Sequence, residues 1–362
     1  MNTLSLTHSV RSIVTRRHLQ IALGLVWLLD GALQLQPFML GTGFATQGIA
    51  PLAAGQPHFV AGPIRWAASL IAAHPVALDV PFAAIQLLIG LGLLVPRTAK
   101  LALAASLPWA LGVWFFGEGL SGLASGHTSL LTGAPGAALL YGVLALAAWP
   151  RRDPSHEAPA RWLPLAWAVL WVGAAIFQAL PGQNTGAAVA GAIPQGAPGW
   201  VGRLDASVAG WTTHHGTAVV VALVVAEALI GLAALHRRSR GPALAAGFVL
   251  ALAIWVVAQD LGQLYSGQAT DPNTAPLVAL MAIALLRGRR TGAVALARAR
   301  RSVVFSDFKS VRLMPRLPVR LRAVGSRKAM HARLPGRAAA RVSEARRGSM
   351  RASTSSRCRA GA

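Results

Sequence analysis

Cysteine is all but missing from this chain: Cys358 is the one thiol in 362 residues. A membrane thiol oxidoreductase moves electrons through a cysteine pair, so the chain does not work as one alone. Thiolate-ligated zinc and iron–sulfur clusters are excluded for the same reason. Histidine is present but misplaced for haem. None of the ten histidines falls in the middle of an apolar run, where a multi-haem bundle would need facing axial pairs. Charge is scarce as well. Asp, Glu, Lys and Arg make up 12% of the residues, against roughly 25% in soluble domains.

Apolar residues are abundant in their place, at 54%. Eight apolar runs stand out, near 19–38, 77–95, 101–117, 134–150, 162–181, 217–235, 242–261 and 274–287. Most approach the roughly 17–25 residues that cross a bilayer as a helix. The last is short and starts at Pro276, which reads as a tilted or kinked span. Because the runs are continuously apolar rather than alternating, helices are expected and a membrane β-barrel is not. Arg16-Arg17 ahead of the first run has the look of a secretory signal. Asp30 inside that run and the lack of a small-x-small cleavage site favour a retained span.

Residues 81–149 repeat in 222–290 at an offset of 141, with 22 identities in 69 ungapped positions. Composition alone would not put Trp114 on Trp255, Arg97 on Arg238, Ser125-Gly126 on Ser266-Gly267 and Ala134-Pro135 on Ala275-Pro276. A looser match precedes it at an offset of 144, with Trp27, Gln34 and Pro37 on Trp171, Gln178 and Pro181. A duplicated unit of about 140 residues with four helices per copy is therefore expected. The resulting fold class is an all-α membrane protein with eight transmembrane helices as two parallel four-helix repeats. Its segments are an N-terminal piece (1–15), repeat 1 (16–152), repeat 2 (153–290) and a basic tail (291–362).

Basic residues give the orientation. Fourteen of the Lys and Arg in the first 290 residues fall on one side of the eight-span arrangement, and only Arg65 and Arg203 on the other. The positive-inside rule then puts both termini in the cytoplasm and the protein in the inner or plasma membrane. The net charge of +23 comes mostly from the tail, where eighteen Lys and Arg face only Asp307 and Glu344. That Arg/Ala/Ser-rich composition, broken by Pro315, Pro318 and Pro335, reads as a disordered, solvated extension. Contact with anionic lipid is a second reading. Nucleic acid is disfavoured, because only Phe305 and Phe308 are there to stack on bases.

Polar residues inside apolar runs are informative, since a central Asp costs about 2.5–3.5 kcal/mol on insertion scales and turns toward the bundle. Asp30 and Gln34 lie one helical turn apart in the first run, and Gln86 sits mid-way along the second. Gln178 and Glu227 hold the matching places in the other copy. These five are the candidate intramembrane site; the competing reading is interhelical packing bonds. Glu118 and Asp260, at the ends of runs three and seven beside Trp114 and Trp255, form a candidate outer mouth, or else simple glycine-capped helix ends. His74, His214 and His215, with Asp79 or Asp205, are the candidate metal ligands among loop residues, although ordinary interfacial histidines fit as well. The long connections 39–76 and 182–216, with Trp66, Trp200 and Trp211, predict short interfacial helices that lie over a site as a lid.

The stretches AAIQLLIGLGLLVPRTAKLAL, AEALIGLAALHRRSRGPAL and RRHLQIALGLVWLLDGALQL resemble DoxX-like membrane proteins. In that family a span-two acid precedes a glycine-rich run and a cytoplasmic Arg. Glu227, Gly231 and Arg238 match that pattern, and Arg17, Gly24 and Gly31 match the family's opening. The resemblance covers about 16–150 and again about 161–290. Two features depart from it. Gln34 and Gln178 stand where the family has a Lys, and Gln86 replaces the acid in the first copy, so a role resting on that Lys–acid pair does not carry over. The resemblance implies an accessory, quinone-interacting subunit of a membrane redox or envelope-stress system. It would have partner subunits, no covalently held cofactor and no stand-alone catalysis. Proton-coupled small-molecule transport through the midplane carboxylates and a purely structural scaffold are the alternatives.

Overall fold

A computed structural model describes residues 11–12, 14–150, 159–195 and 197–288. The basic tail, the first ten residues and the Arg151-Arg152 linker lie outside the described residues, and so does the proposed lipid contact of the tail.

Every apolar run contains a helix. In chain order they are α1 (Arg16–Leu33), α2 (His58–Ala73), α3 (Pro75–Leu94), α4 (Ala99–Gly112), α5 (Ala137–Ala147), α6 (Leu163–Ala179), α7 (Gly186–Gly191), α8 (Gly199–Ala233), α9 (Arg240–Val257) and α10 (Thr274–Leu285). Four are long and apolar enough to cross a membrane: α3, α4 with its π-helical extension to Gly117, α8 and α9. The others are shorter or less apolar than the eight-span expectation requires. Helix α5 has 11 residues, a length of about 16 Å against a hydrocarbon core of about 30 Å. It starts late because Gly133 and Gly136, at φ +96° and +110°, hold the preceding residues in turns. Leu25, Leu88, Leu101, Val169, Leu229 and Val249 stand more than half exposed around the bundle. So wide an apolar surface belongs in lipid, and the chain is a helical membrane protein.

Local chemistry sets the helix ends. Thr15 caps α1 by accepting from the His18 N–H (3.2 Å), and His18 Nδ1 accepts back from the Thr15 N–H (3.4 Å). Arg17 closes the far end of α3 by donating to the carbonyls of Leu93 (2.8 Å) and Leu94. Gln20 donates to the Ala148 carbonyl just past α5 (3.0 Å). The start of α1 therefore lies beside the ends of α3 and α5. An antiparallel bridge joins Arg11–Ser12 to Arg287–Gly288 at the two ends of the described chain.

Helices α1 and α3 approach closely. A Cβ on Gly90 would lie 2.8 Å from the Gly24 carbonyl oxygen, so only a hydrogen fits there. Helices α6 and α8 cross in the same manner, where a Cβ on Gly231 would lie 3.1 Å from the Ala168 carbonyl. Beyond α1, the chain from Met39 to Ile71 folds into a small core of its own around Phe44, Ile49, Val60 and Ile64. The interfacial helices are longer than expected. Helix α2 has 16 residues, and the second long connection continues into α8 with only a break at His215 (φ −114°, ψ 20°).

Candidate functional site

Three of the five midplane residues come together. Asp30, Gln34 and Gln86 line one cavity of about 410 Å³, enclosed by α1, α2, α3, α4 with its π-helical extension, and α5. Its other walls are largely aromatic: Trp27, Trp66, Phe82, Trp109, Phe116 and Tyr141. Trp27 stacks on Tyr141 with centroids 4.4 Å apart, and Phe82 leans on Trp109 at 5.5 Å. Those ring contacts fix two donors at the cavity. The Trp109 Nε1–H and the Tyr141 hydroxyl are both buried, and neither makes a well-formed hydrogen bond among the described residues. The Tyr141 hydroxyl lies beside the Asp30 carboxyl, whose Oδ1 is also unpartnered. Gln86 Oε1 is a fourth buried atom left unpaired. Native interiors pair almost all such groups, so Trp109 Nε1 and Gln86 Oε1 beside the Asp30–Tyr141 pair make a polar patch that stands out in an aromatic wall. Gln34 is already engaged, donating to Asp79 Oδ1 at 2.9 Å. Asp79, expected only as a loop carboxylate, is fully buried and holds the end of α1 against the start of α3.

Gln178 and Glu227 lie elsewhere. Gln178 donates to the Gln183 carbonyl (2.6 Å). Glu227 shares the face of α8 that carries Ile230 and Gly231 toward α6, with both oxygens buried and unpartnered. Neither lines the cavity that holds Asp30.

The expected outer mouth is arranged differently. Glu118 forms part of the cavity wall, and the carboxylate facing it is Asp271, not Asp260. Asp260 instead accepts a bond from the Tyr265 hydroxyl and faces Asp205. The reason is a register of one residue. At the 141 offset Glu118 falls on Gln259, and those two side chains do the same work. Glu118 Oε1 accepts from Ala138 N (2.8 Å) at the start of α5, and Gln259 Oε1 accepts from Ala275 N (3.0 Å) at the start of α10.

A second, more polar cavity of about 560 Å³ adjoins the first. Both share Phe44, Ile49, Gly117, Glu118, Thr270 and Asp271 as walls. Glu118 is half-buried by exposure, but what it is exposed to is cavity, with protein around it. That enclosure pushes its pKa up to about 8, with the charge of Asp271 adding to the rise and the Ala138 and Ser121 bonds opposing it. Burial raises Asp271 too, against bonds from Thr270 Oγ1 (2.8 Å) and the Asn273 N–H (2.7 Å). Among the described residues no Lys or Arg lines either cavity.

The candidate metal ligands do not assemble. His74 ends α2; His214 and His215 lie in α8, where their Nδ1 atoms bond the Gly210 and Trp211 carbonyls (2.7 and 3.0 Å). Among the described residues no group of three or more His, Cys, Asp or Glu is placed to hold a metal ion. Sequence reasoning missed Trp109, Tyr141 and Asp271. The first two are aromatics in apolar runs, which look like core, and the third sits in a short loop with no periodicity to mark it.

No family model matches the chain, and neither a characterised protein nor a solved structure shows significant similarity to it.

Proposed function

We propose that this protein binds a lipid-borne quinone headgroup in the cavity beside Asp30, as an accessory subunit of a membrane redox or envelope-stress system. The observation that carries the reading is the unpartnered Trp109 Nε1–H together with the Tyr141 O–H beside Asp30, in the wall of an aromatic cavity. A quinone ring stacks on aromatic faces and accepts hydrogen bonds at its two carbonyls. A volume of about 410 Å³ suits a ring of that size with part of its tail. The cavity reaches the apolar surface through exposed Trp66, Leu70 and Phe116, and Trp66 meets Phe116 at 6.4 Å as a lip. A ligand dissolved in lipid would enter there.

The finer architecture belongs to the same proposal. The chain is an eight-span protein of two DoxX-like four-helix repeats with both termini cytoplasmic. Several features at the 141 offset support it. Leu120 and Leu261 both have φ +54° in matching left-handed turns. Trp114 and Trp255 both donate to the carbonyl of a proline further along the chain, Pro135 (2.7 Å) and Pro272 (2.9 Å), although these two prolines are not themselves 141 apart. His74 and His215 both interrupt helices. The bridge between 11–12 and 287–288 suits an even number of crossings.

One observation favours a second reading, proton-coupled transport of a lipophilic cation. Asp30, Glu118 and Asp271 line the cavity with aromatic faces and, among the described residues, no basic one, a setting that attracts organic ammonium and phosphonium ions. Tryptophan fluorescence of the purified protein decides between them. Decylubiquinone is expected to quench saturably, with the effect reduced in Trp109→Phe, and quinone is expected in lipid extracts of the native protein. Saturable binding of tetraphenylphosphonium with no quinone response would overturn the quinone reading in favour of transport.

A further inference from the structure

We infer that Glu118 is the aqueous port of the aromatic cavity: it stands in the wall shared with the polar cavity and, with Asp271, lets a ligand beside Asp30 exchange protons with water while the ligand itself enters from lipid. The identity of the ligand rests on the function proposed above; the port does not.

The geometry has two doors of opposite character. Toward the apolar surface the cavity is framed by Trp66 and Phe116. Toward the polar cavity it is framed by Glu118, Thr270 and Asp271, and beyond them lie Gln56, Ser125, His127 and Thr128. Glu118 is held at this boundary rather than left to swing. Its carboxyl bonds the Ala138 N–H and the Ser121 hydroxyl (3.3 Å). Gly136 makes room for it, since a Cβ there would collide with Glu118 Oε2 and Ser121 Oγ. The groups that face it are few. Helix α5 offers the Ala138 N–H and Tyr141, α1 offers Asp30, and the 119–122 turn offers Ser121. The segment before α10 offers Asp271. His127 is a candidate base in the polar cavity, and among the described residues no Lys or Arg in either cavity wall opposes the three carboxyls. Asp271 has both oxygens satisfied as acceptors, which suits it to remain the charged member beside a Glu118 that gains and loses a proton. The transfer balances simply. A hydronium ion in the polar cavity protonates the Glu118 carboxylate and leaves water, and the Glu118 acid passes its proton to the Asp30 carboxylate, leaving a carboxylic acid at Asp30 and an ionised Glu118 ready for the next.

Two measurements on the full-length protein test the port. In an infrared pH titration without ligand, a protonated-carboxyl C=O band is expected with a midpoint near 8, as the enclosure of Glu118 requires. Glu118→Gln should remove it, and Asp271→Asn should move its midpoint to lower pH. A band unchanged in Glu118→Gln, or no such band, overturns the assignment. Gln is accommodated at the matching place in the other half, so that variant is expected to fold. In vesicles of a Cys358→Ala background, Glu118→Cys should react with a charged, membrane-impermeant thiosulfonate at least tenfold faster than Ala174→Cys. Decylubiquinone should slow that reaction. Equal, negligible rates at both positions sink the port. Quinone that quenches fluorescence yet leaves the thiol introduced by Glu118→Cys unprotected overturns the connection between the port and the ligand cavity. Absence of quenching with the titration and labelling intact would support the port and remove the quinone.

Discussion

Asp30, Trp109 and Tyr141 stand in the N-terminal half where Ala174, Leu250 and Ala282 stand in the C-terminal half, counting at offsets of 144 and 141. An aromatic, acid-lined cavity thus lies among α1 to α5, while the offset positions in α6, α9 and α10 carry small or aliphatic side chains. In the C-terminal half Trp167 and Trp171 are fully buried, 5.5 Å apart, and a Cβ on Gly247 would collide with the Trp167 ring. Asp30, Trp109 and Tyr141 are the polar side chains that the offset positions of the C-terminal half lack. The C-terminal half keeps polar groups of its own, among them the Gln259 bond to the start of α10 and Glu227, buried and unpartnered within α8.

Acid tolerated where there is no polar cavity would break this contrast most visibly. Ala174→Asp puts a carboxyl on the wall of an apolar cavity of about 300 Å³ beside Leu130, Leu170 and Met281 and should destabilise the protein by about 3 kcal/mol, read as a large fall in the thermal midpoint in detergent. A neutral result would reveal polar space in the C-terminal half. The reverse exchange, Asp30→Ala with Trp109→Leu and Tyr141→Ala, should leave the protein folded. It should weaken decylubiquinone binding by at least about 100-fold, since two bonds to buried donors at about 1–1.5 kcal/mol each and the stacking surface disappear together. Tyr141→Phe alone sharpens the point. It keeps the stack on Trp27 and deletes one donor, so about a tenfold loss of affinity is expected by fluorescence titration.

The remaining test concerns pH. Glu118 has its pKa raised from an ordinary 4.5 to about 8, so the folded state holds a proton that the unfolded state has released across that window. Stability from this group is greatest below pH 4.5 and is lost progressively as pH rises toward 8, then stays level. Glu118→Gln should flatten that part of the pH–stability curve. A wild-type curve that rises between pH 5 and 8 and responds to the substitution would contradict the sign.

Much of the frame is legible from the chain alone, because a continuous apolar run near bilayer length must satisfy its backbone as helix. All eight apolar runs contain helix. Asp30, Gln34 and Gln86 are marked for one place by the cost of polar groups in hydrocarbon, and they share one cavity. Length misleads where backbone turns intrude. Residues 134–136 are apolar and glycine-rich enough to read as span, but Gly136 at φ +110° delays α5. Pairing misleads at Glu118, because the nearest acid in the repeat, Asp260, is one residue off the position that caps the next helix. Asp271 joins the cavity because its loop folds back against Glu118, which no periodicity in the chain records.

The bridge between Arg11–Ser12 and Gly288–Arg287 has a consequence for engineering. Segments that meet in one antiparallel pair can be joined by a handful of residues without moving a helix. A circular permutant opened between Ala147 and Leu163 would synthesise α6 to α10 first and α1 to α5 second. In such a chain the apolar half would already be in the bilayer when the cavity-bearing half emerged, reversing the natural order of assembly while leaving every contact around Asp30 within reach.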